Sequence, residues 1–130
     1  MKKNILFVCK HNRFRSKIAE TYFKKINKKF RVKSAGIFKG FSVNKKLVDI
    51  GKKFGLKINR RTRGLSEKLI KNQDVVVIVA NNVPASLFKG RVKKLIVWKI
   101  SDTNQKDTKK IKEVIKKIIK RVDGLEVVLR

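Results

Sequence analysis

Residues 74 to 80 read DVVVIVA, the most apolar run in the chain. A short apolar run bounded by polar residues is the pattern of a strand covered on both faces, and this one is expected at the centre of a sheet. NILFV, residues 4 to 8, repeats the pattern, and RVKS (31 to 34) and VKKLIVW (92 to 98) read as further strands. Between them the period changes. Ile18, Ala19, Tyr22, Phe23 and Ile26 recur at three and four, which predicts an amphipathic helix over 16 to 28. Leu47, Val48 and Phe54 mark another helix, with Gly55 as its left-handed terminator. Ile111, Val114, Ile115, Ile118, Ile119 and Val122 form the stripe of a last helix, and the tail GLEVVLR reads as a small extra strand. Strands alternating with helices predict an α/β fold with a parallel sheet covered on both faces, because right-handed crossovers put the helices there. A length of 130 residues suits one domain over 1–130.

Charge narrows the partners. Thirty-seven Lys and Arg against nine Asp and Glu give a formal charge of +28. Such a field attracts polyanions without selectivity at low salt. The lysines are spread through every segment, which describes a basic surface better than one dedicated nucleic-acid groove. The opening ILFV is too short for a membrane span or a signal-peptide core, so a soluble, cytoplasmic protein is expected.

Cys9 is the only cysteine. It has no disulfide partner within the chain and belongs to no CxxC pair. In open parallel sheets ligands bind beyond the carboxyl ends of the strands. Cys9 is expected there after the first strand, and Asp102 after the last. Between Cys9 and the helix starting at Ser16 lie Lys10, His11, Asn12, Arg13, Phe14 and Arg15. A loop leaving a strand and curling into a helix turns unpaired N–H groups inward, a cradle the size of one phosphate. Arg15 is suited to grip two phosphoryl oxygens, and with the helix dipole it favours negative charge on the Cys9 sulfur. Ser16 stands where it can donate a hydrogen bond to that sulfur, and Asn12 tolerates the left-handed backbone of a tight loop. The candidate set is therefore Cys9, Arg15 and Asp102 for chemistry, with Lys10, His11, Asn12, Arg13, Phe14 and Ser16 for binding. A plainer reading stands beside it: lone cysteines are commonly small core residues, Asp102 would also serve as a turn cap, and His11 as an exposed loop residue. Asp107 reads as a helix cap and Asp74 as a strand-edge polar group.

The run VCKHNRFRSKIAE resembles the V-C-x-G-N-x-C-R-S-x-x-A-E signature of the low-molecular-weight protein tyrosine phosphatases, a family that includes thioredoxin-coupled arsenate reductases and protein arginine phosphatases. Val8, Cys9, Asn12, Arg15, Ser16, Ala19 and Glu20 match, and the similarity continues through VKSAGI to VWKISD. The resemblance implies a four-stranded parallel sheet with helices on both faces, the phosphatase I-like three-layer sandwich. It implies Cys9 as nucleophile, Arg15 as clamp, Asp102 as general acid and Ser34 as support of the loop, with no metal or organic cofactor. The expected substrates are a phosphorylated protein, with phosphotyrosine leading, or a small aryl phosphate; inorganic phosphate is product and competitor, and the protein is expected to be a monomer. Phosphoarginine stays open, as do arsenate reduction by an external thiol and a non-catalytic anion- or nucleic-acid-binding role. His11 replaces the signature glycine, Phe14 a second cysteine, Arg60 a loop-supporting histidine of some members, and Thr103 the proline after the acid. Strain at His11 is expected if that position needs positive φ.

Overall fold

Along the first strand, β1 (Lys3–Cys9), successive side chains serve two different cores. Ile5 and Phe7 point to one face of the sheet, Leu6 and Val8 to the other, and all four are fully buried. The computed structural model describes residues 2–129. After β1 come α1 (Arg15–Ile26), β2 (Phe30–Gly36), α2 (Lys45–Lys52), α3 (Glu67–Lys71), β3 (Val75–Val79), a 3-10 turn at Ala85–Leu87, β4 (Lys94–Trp98) and α4 (Thr108–Val128). The four strands are parallel in the order β2-β1-β3-β4. This is the three-layer α/β sandwich expected, with β1 and β3 at the centre.

The first core lies under α1, α2 and α4, where Phe7 and Val77 meet Ile18, Phe23, Leu47 and the Ile111, Ile115, Ile118, Val122 and Leu125 stripe. The second lies on the opposite face, where Leu6, Val76 and Ile78 meet Ile70 of α3 and Phe88. β3 is buried at every position, which explains its uninterrupted apolar run. Asp74 accepts the Asn4 N–H at 2.8 Å on its Oδ2, and Asp107 caps α4 by accepting the Lys110 N–H at 3.1 Å. Gly55 has φ +75, the left-handed backbone expected of it after α2.

Two elements differ from expectation. The tail is helical through Val128, with Arg130 outside the described residues: Leu125 continues the stripe by three from Val122, and its burial carries α4 on in place of a small strand. α3 is the second: five residues are too few to display a period, and Ser66 Oγ caps it by accepting the Leu69 N–H at 3.1 Å. No helix among the described residues is long and apolar enough to cross a membrane.

Candidate active site

β1 ends at Cys9, and the chain turns through residues 10 to 14 into α1. The loop is pinned from outside. Ile37, Phe38 and Gly40, in the segment after β2, donate their N–H groups to the carbonyls of Cys9, Lys10 and His11 at 3.0 to 3.1 Å. That approach requires glycines: a Cβ on Gly36 would lie 2.6 Å from the His11 carbonyl carbon and 2.7 Å from the Asn12 nitrogen, and one on Gly40 would lie 2.6 Å from the His11 oxygen. With these three carbonyls taken from outside, the loop keeps its own N–H groups. Those of residues 10 to 14 donate to no described protein group, and the first intrahelical bond of α1 is made only at Ile18, to Phe14.

Asn12 organises the interior of the loop. Its φ is +59, the only positive value at a non-glycine among the described residues. Its Oδ1 accepts the Arg63 backbone N–H at 2.9 Å, which fixes the orientation of the amide. Nδ2 therefore donates, to Ser16 Oγ at 2.8 Å and to Ser34 Oγ at 2.9 Å. Ser34 in turn donates its hydroxyl to Glu20 Oε1 at 2.7 Å. Ser16 Oγ, having accepted from Asn12, has its own hydrogen free for the Cys9 sulfur, 2.9 Å away. A thiolate at Cys9 thus has a donor already aimed at it. The cysteine is 2% exposed, at the floor of the loop.

Arg15 opens α1 and is buried, yet its guanidinium reaches the ends of the two later strands. Nη1 donates to the Ile100 carbonyl at 2.9 Å and Nη2 to Asn82 Oδ1 at 3.2 Å. Asp102 Oδ2 stands 3.9 Å from Nη2, with the aspartate side chain 53% exposed and its Oδ1 accepting the Thr103 N–H at 2.9 Å. Residues from β1, α1 and the segments after β3 and β4 therefore converge at one edge of the sheet. Their meeting point flanks the junction of β1 and β3, where the strand order reverses.

The remaining expected residues fall into distinct places. Lys10 and His11 are exposed on the loop. His11 does not have positive φ, so its replacement of the signature glycine brings no left-handed strain. Its ring lies 6.1 Å from that of Phe38. Arg13 lies against Gly40, and its Nε is buried without a hydrogen-bond partner. Phe14 has its ring packed in the core under α1, so its backbone N–H is the group it can offer a ligand. Arg60 donates Nε to the Val43 carbonyl at 2.8 Å, so it braces the chain entering α2 and does not reach Ser34. Asn82, the Ile100 carbonyl, Glu20 and the Arg63 N–H are site components outside the set expected from the sequence. The rule that ligands gather beyond strand carboxyl ends covers Asn82, which follows the end of β3 by three residues.

The family profile described as low molecular weight phosphotyrosine protein phosphatase matches residues 4–129. The chain belongs to this family. Arsenate reductase 2 of Staphylococcus haemolyticus is 39% identical over 89 residues, which cover 64% of this chain and 67% of that protein. Among solved structures, the arsenate reductase of Archaeoglobus fulgidus is 28% identical with a TM-score of 0.77, over 93% of this chain and 97% of its own. A low molecular weight protein tyrosine phosphatase from T. tengcongensis is 25% identical with a TM-score of 0.81, over 95% and 97%. Phosphatases and arsenate reductases of this family share the fold, and this member carries it with a single cysteine, at the end of β1.

Proposed function

We propose that the protein is a cysteine-dependent phosphomonoesterase that works through a phosphocysteine intermediate. The observation that carries this reading is the loop of residues 10 to 14. Its Lys10 and His11 carbonyls are held from outside by the segment after β2, and its N–H groups have no described protein partner, with the Cys9 sulfur and the Ser16 hydroxyl at its base. A concave array of N–H groups at a helix start recognises a tetrahedral oxyanion.

In the proposed route the Cys9 thiolate attacks phosphorus in line, forming the S–P bond as the bond to the leaving oxygen breaks. The loop N–H groups and Arg15 stabilise the equatorial oxygens. Ile100 and Asn82 take two of the five guanidinium N–H donors, and three remain for the phosphoryl group. Asp102, protonated, gives its proton to the leaving oxygen. Its carboxylate then takes a proton from the water that attacks phosphorus and releases the cysteine. Ser16 stabilises the sulfur as nucleophile and as leaving group.

For the substrate we favour phosphotyrosine in a protein or a small aryl phosphate. Phe38 and Phe41 are 59% and 84% exposed on the segment that pins the loop, and the exposed His11 ring lies beside Phe38. Together they offer a phenyl ring apolar and aromatic surface at the rim. A second reading, arsenate reduction, draws on the Staphylococcus haemolyticus relative. With one cysteine the chain holds no second thiol, so an external thiol must attack the sulfur of an arsenylated Cys9, forming a mixed disulfide as the S–As bond breaks and arsenite leaves with the electron pair; a second external thiol then exchanges with that disulfide and frees Cys9.

The test is hydrolysis of an aryl phosphate by parent and Cys9→Ser, with acid quenching during turnover. Label held on Cys9 and turnover abolished in the variant are expected. A variant that hydrolyses as fast as the parent would remove the mechanism. Thiol-dependent arsenite formation without ester hydrolysis would select the second reading.

A further inference from the structure

Away from the loop, β4 is an edge strand: it pairs with β3 and with nothing on its other side among the described residues. Lys94 donates its N–H toward β3, to Asp74, and Trp98 accepts there from Ala80. By alternation Leu95 and Val97 present their N–H and C=O groups outward. Beside this edge a groove of 660 Å³ runs between β4 and α4. Ile96, Trp98 and Leu125 supply an apolar floor, while Lys117, Lys120 and Arg121 line the α4 side.

One residue of that wall is unexplained by the fold. Gly124 stands inside α4, where glycine is about 1 kcal/mol less favourable than alanine. Its φ is not positive, and a Cβ built on it would meet nothing within 4 Å. Neither backbone geometry nor packing requires it. It leaves the groove wall without a side chain at this position.

Charge selects the occupant. Lys99, Lys117, Lys120 and Arg121 are exposed, and none has a described carboxylate within ion-pair distance. Their fields overlap, since the Debye length at physiological salt is about 8 Å. A second copy of this chain is a poor fit, because pairing two such edges would bring lysines from both together; lysine on an edge strand is a device against self-pairing. We infer that the β4–α4 groove docks an extended, acidic segment of a partner protein, which adds a strand to β4, sets alternate aliphatic side chains on Trp98 and Ile96, and meets the lysine rim with carboxylates. Such a segment gains main-chain bonds to Leu95 and Val97 that the free protein leaves to water. This inference does not depend on the catalytic reading.

Trp98 is the only tryptophan, so its emission reports on the groove directly. The probe is a blocked hexapeptide of alternating Glu and Val, titrated into the full chain at physiological salt. Its controls are a Glu-Gly hexapeptide and the Glu-Val peptide N-methylated at alternate amides. Saturable binding is expected for the Glu-Val peptide, weakened about tenfold or more by the methyl groups and by loss of the valines. Gly124→Leu is expected to fill the groove and abolish binding while melting no lower than the parent, because the helix gains a better former. Lys117→Glu with Arg121→Glu, both exposed, is expected to weaken binding as an independent check. Equal binding of the Glu-Gly peptide would reduce the effect to charge alone and overturn the inference. So would undiminished binding by folded Gly124→Leu or by the charge-reversed variant, or no binding of the Glu-Val peptide.

Discussion

Asn82 Oδ1 accepts a hydrogen bond from Arg15 Nη2 at 3.2 Å, across 67 residues of sequence. The contact joins the loop after β3 to the first residue of α1. It holds the guanidinium by its outer edge, on the same nitrogen that faces Asp102. Asn82 is exposed, so its side chain is no part of the core. We therefore expect Asn82→Ala to melt within about 0.5 kcal/mol of the parent, as surface changes do. Its kcat on an aryl phosphate should fall about tenfold with little change in KM, because the clamp acts chiefly on charge developed in the transition state. Asn82→Asp, which keeps an acceptor, should recover part of the loss. A rise in KM with kcat unchanged would assign Asn82 to substrate binding instead.

Asn12 carries three side-chain hydrogen bonds in a left-handed backbone, so two effects of its removal add. Asn12→Ala should lose about 2–4 kcal/mol, combining the αL penalty for a Cβ residue with buried partners left unsatisfied. Asn12→Gly relieves the backbone part and should be less destabilised than alanine. Urea denaturation of both variants measures this order; glycine proving the worse of the two would mean that the backbone contributes nothing.

The layers and the loop were readable because each rests on a local pattern. The four strands are bounded by polar residues, two helices show runs at three and four, and Gly55 marks the end of a third. Cys9, Asn12, Arg15 and Ser16 sit within eight residues of one another. What escaped notice depends on distance in sequence. Asn82 and the Ile100 carbonyl carry no sign of their purpose until the sheet brings β3 and β4 beside β1. Phe14 looks like a binding residue from its place in the loop, yet the turn into α1 swings its ring into the core. The tail misled for a related reason: Val127 and Val128 suggest a strand, but Leu125, buried on the stripe, decides in favour of helix.

Asp102 and Arg15 lie 3.9 Å apart, with the aspartate half exposed, an arrangement open to both leaving group and water. If Asp102 supplies the proton, Asp102→Asn should slow hydrolysis of an alkyl or unactivated phenyl phosphate by about 10²–10⁴-fold. The effect on a nitrophenyl ester should be much smaller, since that oxygen leaves without help. Rates across a series of phenols give the dependence on leaving-group basicity, which should steepen in the variant. Parallel lines for parent and variant would assign the proton transfer to another group.

Tyr22 of α1 donates its hydroxyl to Asp123 of α4 at 2.5 Å, tying together the two long helices of one layer. The hydrogen bond to Asp123, then burial, then the carboxylate's charge all hold the phenol above its usual 10.0. A folded-state value above the unfolded one means that the bond contributes stability fully at pH values below about 10, and that this is lost as pH rises through the raised value. The site is largely open to solvent, so Tyr22→Phe should lower stability by only about 0.5–1 kcal/mol at pH 7. The difference between parent and variant should stay constant up to about pH 10 and shrink beyond it. Paired urea melts at pH 7, 9 and 11 test this, and a gap that widens at pH 11 would show that the phenol is held in its ionised form.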